Sequence, residues 1–138
     1  MLEQHYLTSL FEPKSVAVIG ASERENSVGS IIFKNILDAG YKGRLYAINP
    51  KHETIHGVQA HASIEEIGAL VELAVICTRP QTVPAIVEQC GRSGIKNVIV
   101  ITAGFAEAGH SGAALERKML EIARSYNVRV LGPNCLGV

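Results

Sequence analysis

The sequence contains no tryptophan, few other aromatic residues and no excess of charge of either sign. Of its 138 residues, 5% are aromatic, and 13 Lys and Arg residues balance 13 Asp and Glu residues. Without a net positive charge, no broad field attracts a polyanion, so nonspecific nucleic-acid binding is excluded as the main role. Any anionic ligand must therefore be recognised by a local arrangement of donors.

Long apolar runs and paired cysteines are also missing. The longest apolar runs, such as LAVIC and NVIVI, are far shorter than the roughly twenty residues that cross a bilayer. The first ten residues include Glu3 and Gln4 and lack the apolar centre of a signal peptide. Cys77, Cys90 and Cys135 show no CxxC spacing, which argues against a disulfide framework or a zinc site. A cytoplasmic protein with no membrane contact is expected.

Segments rich in valine and isoleucine alternate with helical patterns along the chain. Five strands are predicted: SVAVI from Ser15, RLYAI from Arg44, ELAVIC from Glu72, NVIVIT from Asn97 and VRVL from Val128. Nearly continuous apolar strands are typical of a parallel sheet that is covered on both faces. The sequence therefore predicts a single α/β domain over residues 1–138, a doubly wound parallel sheet of about five strands with helices on both faces.

Apolar residues at helical spacing predict the crossover helices of this sheet. The first helix carries Val28, Ile31, Ile32 and Ile36 on one face, with Ser27 as its cap and Gly40 as its end. The other two stripes are Val83, Ile86, Val87 and Cys90, and Leu115, Met119, Ile122 and Tyr126. A polar stretch from Lys51 to Ala62 precedes Ser63-Ile64-Glu65-Glu66, which fits a capping box opening a short helix.

Ligands of such sheets bind beyond the carboxyl ends of the strands, and the first of these ends is rich in small residues. Gly20-Ala21-Ser22 follows the first strand, and Gly29 lies just inside the first helix. Close backbone approach, the hydroxyls of Ser22 and Ser27 and the helix start fit a phosphate, although a simple tight turn would use the same residues. The glycine fingerprint of NAD sites is absent, as is GK[ST].

The second strand ends with a cation where an NAD site usually has an acid. Asn49-Pro50-Lys51 stands there, and the nearest acidic residue is Glu53. Pro50 stiffens the turn, so that Lys51 would be held near the sheet edge as a point charge. A phosphorylated ribose fits this position, whereas the alternative is a solvated turn lysine.

The third and fourth strand ends add Thr78-Arg79-Pro80 and Thr102-Ala103-Gly104 to the same rim. Arg79 either binds a phosphate with its guanidinium fork or covers the strand end in water. Gly104 would let backbone lie against a ligand. Both segments are therefore candidates for the ligand rim.

Candidate catalytic and metal groups are few. Cys135, after the fifth strand, is the thiol best placed for the rim, but no nucleophile is assigned to it because a buried inert cysteine is the more frequent outcome. The histidine spacings match no common metal pattern, so all five are expected at the surface. No catalytic residue and no metal site are predicted.

Four motifs in this order, SVAVIGAS, AINPK, ITAGFAE and LGPNCLGV, resemble the CoA-binding domain of nucleoside-diphosphate-forming acyl-CoA synthetases, related to the succinyl-CoA synthetase alpha subunit. The resemblance covers nearly the whole chain and implies a Rossmann-like fold that binds CoA or acyl-CoA. One departure is that many relatives carry Val-Pro-Ala where this chain has Thr78-Arg79-Pro80.

The resemblance also implies a set of cofactor-binding residues. Asn49, Pro50 and Lys51 would hold the adenosine 3'-phosphate end, and Asn134 and Cys135 would lie near the thioester. The CoA phosphates would lie on the turn formed by Gly20, Ala21, Ser22, Ser27, Val28 and Gly29. Two further segments would line the remaining length of CoA: Thr78 to Pro80, and Thr102, Ala103 and Gly104.

In the family that the chain resembles, acyl transfer uses a phosphorylated histidine of a following domain, so this chain alone is not expected to catalyse. The leading expectation is the N-terminal CoA-binding module of a longer ADP-forming synthetase, with CoA and the downstream domains as partners and a homo-oligomer left open. The alternatives are the regulatory module of a synthetase-like protein lysine acetyltransferase and an NADP-binding oxidoreductase fragment. The terminal GPNCLGV favours a module of a larger protein.

Overall fold

The computed structural model describes residues 13–67, 71–102 and 110–132, which fold around one β-sheet. The strands are β1 (Ser15–Ile19), β2 (Arg44–Ile48), β3 (Thr54–Ile55), β4 (Val58–His61), β5 (Leu73–Ile76), β6 (Asn97–Val100) and β7 (Arg129–Leu131). They form one seven-stranded sheet in the order β3-β4-β2-β1-β5-β6-β7. Every pair is parallel except β3 with β4.

Within the described residues, three helices cover the two faces of this sheet. They are α1 (Val28–Asp38), α2 (Val83–Arg92) and α3 (His110–Ser125), and short 3-10 helices span Ile64–Ile67 and Pro80–Thr82. Phe33 of α1 packs with Val16 and Val18 in one core cluster, while Val87 and Met119 of the other helices belong to a second cluster. The predicted doubly wound α/β fold, with helices on both faces, is confirmed.

The central strands are the ones whose sequences are continuously apolar. All residues of β1 and β5 are buried, because each of these strands has a neighbour on either side and helices on both faces. The last strand is an edge strand, where exposed Arg129 needs no apolar environment. All five predicted strands are confirmed, with bounds that differ by at most two residues.

The polar stretch from Lys51 to Ala62 contains two strands that the sequence pattern did not predict. They form a hairpin whose turn residues are His56 and Gly57, both with positive φ, at 48° and 81°. Strands of two and four residues are too short to show a period, and His-Gly is not among the strongest hairpin signals. Ile55 is fully buried, so the hairpin contributes to the hydrophobic core.

The predicted buried face of α1 is wrong in part. Val28 and Ile31 are 46% and 48% exposed, whereas Gly29 and Phe33 are buried. The reason is a backbone contact: a Cβ on Gly29 would lie 2.0 Å from the carbonyl oxygen of Gly20. Because Gly29 must face the end of β1, the helix is rotated away from the orientation that its apolar stripe favours.

Cys90 is a buried thiol of α2, and its burial raises its pKa from 9.0 to about 12. The folded state holds this proton more tightly than the unfolded state, so the stabilising contribution is complete below pH 9 and declines as the pH rises toward 12. We expect iodoacetamide at pH 8 to leave Cys90 unmodified in the folded protein and to alkylate it in denaturant, as measured by peptide mass spectrometry. Rapid alkylation of the native chain would contradict this prediction.

Candidate functional site

The carboxyl ends of β2, β1, β5 and β6 lie at one edge of the sheet. The N–H of Gly20 donates to the Ile48 carbonyl at 2.9 Å, and the N–H of Cys77 donates to the Ile19 carbonyl at 2.8 Å. The N–H of Ile101 continues the row with a 3.0 Å bond to the Ile76 carbonyl. The loops that follow these strands are therefore neighbours, as the parallel pattern predicts.

A cleft of about 540 Å³ opens at this edge. Six predicted site residues line it: Gly20, Asn49, Pro50, Lys51, Thr78 and Arg79. The other lining residues are Ile19, Ile48, Ala62, Ser63, Ile64, Cys77, Thr82, Ile86 and Gln89. Two cationic side chains, three hydroxyl groups and four isoleucines line the cleft, and its described lining includes no carboxylate.

The turn after β1 is built from backbone constraints. Gly20 has a φ of +93°, and a Cβ there would lie 3.0 Å from Thr78 Cγ2, so a side chain is excluded at this point of the cleft. The buried Ala21 follows, and Ser22 Oγ accepts the N–H of Arg24 at 2.9 Å. Gly20 lines the cleft, whereas Ala21 and Ser22 are not among its described lining residues.

The start of α1 is capped from within the chain. Ser27 Oγ accepts the N–H of Ser30 at 3.2 Å, which confirms Ser27 as the N-cap. Val28 is exposed, and Gly29 is buried against the carbonyl of Gly20. None of Ser27, Val28 and Gly29 lines the cleft as described, so their predicted contact with a ligand stays a prediction.

Asn49 joins the turn after β1 to the turn after β2. Its Nδ2 donates to the Ala21 carbonyl at 2.8 Å, while its Oδ1 accepts the N–H of Lys51 at 2.8 Å. Its own N–H donates to the His61 carbonyl of β4 at 2.8 Å. Because both ends of the amide are used inside the protein, Asn49 fixes the backbone that carries Lys51.

Lys51 itself is exposed at the mouth of the cleft. Pro50 restricts the backbone just before it, and the Asn49 side chain holds its N–H. Within residues 13–67, 71–102 and 110–132, no carboxylate forms an ion pair with its ammonium group. Its charge is therefore available to an anion in the cleft.

The opposite wall comes from the loop after β5, which hydroxyl groups hold in place. Buried Thr102 donates from its Oγ1 to the Thr78 carbonyl at 2.7 Å, and Thr82 Oγ1 lies 2.7 Å from Thr78 Oγ1 and 2.6 Å from the Arg79 carbonyl. Pro80 begins a 3-10 helix, with Arg79 as its N-cap residue and no side-chain cap. Arg79 is exposed and lines the cleft, so both of its predicted roles remain open.

Several lining residues were missed because they come from elements without a strand-end signal. Ser63 reaches the cleft because β4, which was not predicted, ends just before it. Gln89 lies on α2 outside the apolar stripe, and nothing in its local sequence distinguishes it. Recognising β4 would have identified Ser63, whereas no sequence signal identifies Gln89.

Four predicted site residues lie outside the described residues: Ala103, Gly104, Asn134 and Cys135. Their assignment stays with the family resemblance. In the part of the chain that is described, no group of three or more His, Cys, Asp or Glu residues could hold a metal ion. No described helix is long and apolar enough to span a bilayer.

A larger hollow, of about 1120 Å³, lies away from these strand ends. Its lining includes Lys14, Arg44 and Leu73, which stand at or before the amino ends of their strands. Ligands of doubly wound sheets bind at the carboxyl ends, so the smaller cleft is the candidate site. Size alone does not identify the functional site in this fold.

Comparison with known proteins defines the class of this domain. A family model described as a CoA binding domain matches residues 14–138. The chain therefore belongs to the CoA-binding domain family, which confirms both the predicted family and the predicted cofactor, CoA. The Rossmann-like fold agrees with that of the solved neighbours.

Two relatives of this chain are ADP-forming acetate–CoA ligases. Acetate–CoA ligase (ADP-forming) of Methanocaldococcus jannaschii is 46% identical over 126 residues, covering 91% of this chain and 17% of the ligase. The alpha subunit of acetate–CoA ligase (ADP-forming) I of Pyrococcus furiosus is 42% identical over 136 residues, covering 96% of this chain and 29% of the subunit. The chain thus spans less than a third of either relative.

A solved structure with the same fold belongs to the same class. The dinucleotide-forming acetyl-coenzyme A synthetase 1 of Ca. Korarchaeum cryptofilum, in complex with phosphate and ADP, has a TM-score of 0.87 and 38% identity. The match covers 93% of this chain and 27% of the synthetase. These three relatives are therefore acyl-CoA synthetases that carry such a domain together with further sequence.

Proposed function

We propose that this chain is the CoA-binding module of an ADP-forming acyl-CoA synthetase, the class that interconverts acyl-CoA, ADP and phosphate with the free acid, CoA and ATP. The observation that supports this proposal is the charge of the cleft at the strand ends. Lys51 and Arg79 lie among its lining residues, and no carboxylate is found among the described ones. Such a lining fits a ligand with several phosphates.

The cleft also suits the rest of CoA. Its isoleucines offer an apolar surface, while Ser63, Thr78 and Gln89 offer hydrogen-bonding groups for an amide chain. Bound CoA would supply the thiol that carries the acyl group. The residues of this chain would hold the phosphates and exclude water from the floor of the cleft, and the acyl transfer would require further domains of the parent.

Isothermal titration calorimetry with CoA, dephospho-CoA, NAD and NADP tests this proposal. We expect CoA to bind most tightly, because Lys51 suits the 3'-phosphate that dephospho-CoA and NAD lack. Tighter binding of NADP than of CoA would instead favour an oxidoreductase fragment. If no nucleotide bound or raised the melting temperature, the cleft would not be a CoA site. A regulatory role in a lysine acetyltransferase stays an alternative prediction.

A further inference from the structure

His56 occupies an unusual backbone conformation at the tip of the hairpin formed by β3 and β4. Its φ of 48° lies in the left-handed region, which is uncommon for residues other than glycine. Asn or Asp followed by Gly is the strongest preference for two such turn positions. Histidine is not the residue that this turn prefers, so the turn alone does not account for His56 and its contacts become the relevant feature.

The contacts of His56 lead to α1 and to the turn that precedes it. Its ring Nε2 shares a 3.0 Å hydrogen bond with Ser30 Oγ in the first turn of α1, and its N–H donates to Glu23 Oε1 at 2.7 Å. The ring also stacks on Phe33, with 6.4 Å between centroids and 18° between planes. Ser30 is 7% exposed and Phe33 is fully buried, so His56 is anchored on a rigid surface.

The bond to Glu23 also restricts a negative charge near the candidate anion site. Glu23 lies in the segment from Gly20 to Ser27, where a freely moving carboxylate would oppose a bound phosphate. The N–H of His56 holds this carboxylate toward the hairpin. The contact therefore favours one position for the Glu23 carboxylate.

The same hairpin is tied to the turn that carries Lys51. Ala60 and His61 of β4 pair with Ala47 and Ile48 of β2, and the His61 carbonyl accepts the N–H of Asn49 at 2.8 Å. His56 therefore connects the turn after β1 with the hairpin, and the same hairpin supports the turn after β2. The link is additional to the bond from Asn49 to Ala21.

We propose that His56 is a positioning residue, whose ring holds Ser30 at the start of α1 and so keeps the adjoining Gly20 to Ser27 turn in the conformation that binds the CoA phosphates. This inference rests on the proposed function, because the phosphates define what the turn is positioned for. It assigns His56 no contact with CoA.

The test uses variants that remove the contact while preserving the hairpin. His56→Asn creates the Asn-Gly pair that such turns prefer and keeps the backbone N–H for Glu23, but it loses the ring contacts with Ser30 and Phe33. Ser30→Ala removes the hydroxyl from the other side and keeps a good helix residue. His56→Gln offers an amide group at about the reach of Nε2 and serves as the conservative rescue.

We expect His56→Asn and Ser30→Ala each to weaken CoA binding by about three- to tenfold, with a fall in melting temperature of only a few degrees. Amide hydrogen exchange of residues 20–27 should become about threefold faster or more without ligand, and His56→Gln should recover part of both properties. The double variant should lose no more affinity than His56→Asn alone, because His56→Asn already removes the hydrogen bond with Ser30.

Unchanged affinity and unchanged exchange in both single variants would overturn the inference, as would additive losses in the double variant. Failure of the parent chain to bind CoA would overturn the proposed function. The exchange rates of residues 20–27 would still decide whether His56 positions this turn. The two failures are therefore distinguishable.

Discussion

Gly29→Ala is expected to lower the free energy of unfolding by roughly 3 kcal/mol or more, or to prevent folding. The new Cβ would lie 2.0 Å from the carbonyl oxygen of Gly20 and 2.9 Å from its carbonyl carbon. Neither is a flexible side chain, so α1 would have to move away from the end of β1. Urea or thermal unfolding of the variant and the parent chain measures the difference.

Helix propensity predicts the opposite sign for this substitution. Gly29 lies in α1, and alanine in a helix is more favourable than glycine by up to about 1 kcal/mol. Intrinsic propensity alone therefore predicts a more stable variant. A rise in stability on Gly29→Ala would show that the contact between α1 and the turn is not close.

Gly40→Ala is the matched control. Gly40 has a φ of +74°, but a Cβ there meets nothing within 4 Å. Only the left-handed backbone should oppose alanine at this position, with a cost of about 1–2 kcal/mol. Gly29 has no left-handed φ, so a loss at Gly29 that did not exceed the loss at Gly40 would contradict the predicted clash with the Gly20 carbonyl.

The contact between Gly29 and Gly20 also explains where the sequence pattern failed. The apolar stripe through Val28 and Ile31 is a true helical period, and it correctly predicted a helix. Its orientation was wrong because the period carries no information about a backbone contact between two distant glycines. Both glycines are predicted ligand contacts; Gly29 also packs against Gly20, and its contact with a ligand stays a prediction.

The strands of the core were predictable because β1 and β5 need apolar residues on both faces. The hairpin was not, because Ile55 alone is buried in its first strand and two residues cannot show a period. The same omission concealed Ser63 at the end of β4. Local sequence therefore indicated the strand ends that follow long strands and missed the one that follows a short strand.

Within the candidate site, the positions of Lys51 and Arg79 at one cleft followed from parallel pairing alone. The internal bonds of Asn49 did not, since an amide can serve a ligand or the backbone equally well. Which of the two it serves depends on the distance to Ala21, and only tertiary structure fixes that distance. The predicted role of Asn49 at the 3'-phosphate is thus joined by a structural one.

Lys51→Ala is expected to weaken CoA binding by about 1.5–3 kcal/mol, the usual scale of a charged hydrogen bond, or roughly 10- to 150-fold. The reason is that Lys51 has no carboxylate partner within the described residues and lies at the mouth of the cleft. Titration calorimetry of the variant with CoA and with dephospho-CoA measures the loss for each ligand.

The difference between the two ligands identifies the phosphate that Lys51 binds. Dephospho-CoA lacks the 3'-phosphate, so its affinity should change little and the preference for CoA should nearly vanish in Lys51→Ala. Lys42→Ala controls for net charge, because Lys42 is exposed beside the larger hollow at the opposite ends of the strands. Equal losses for both ligands would move Lys51 from the 3'-phosphate to another part of CoA. Equal losses in Lys42→Ala would replace the local contact with a general effect of charge, which falls as salt is added.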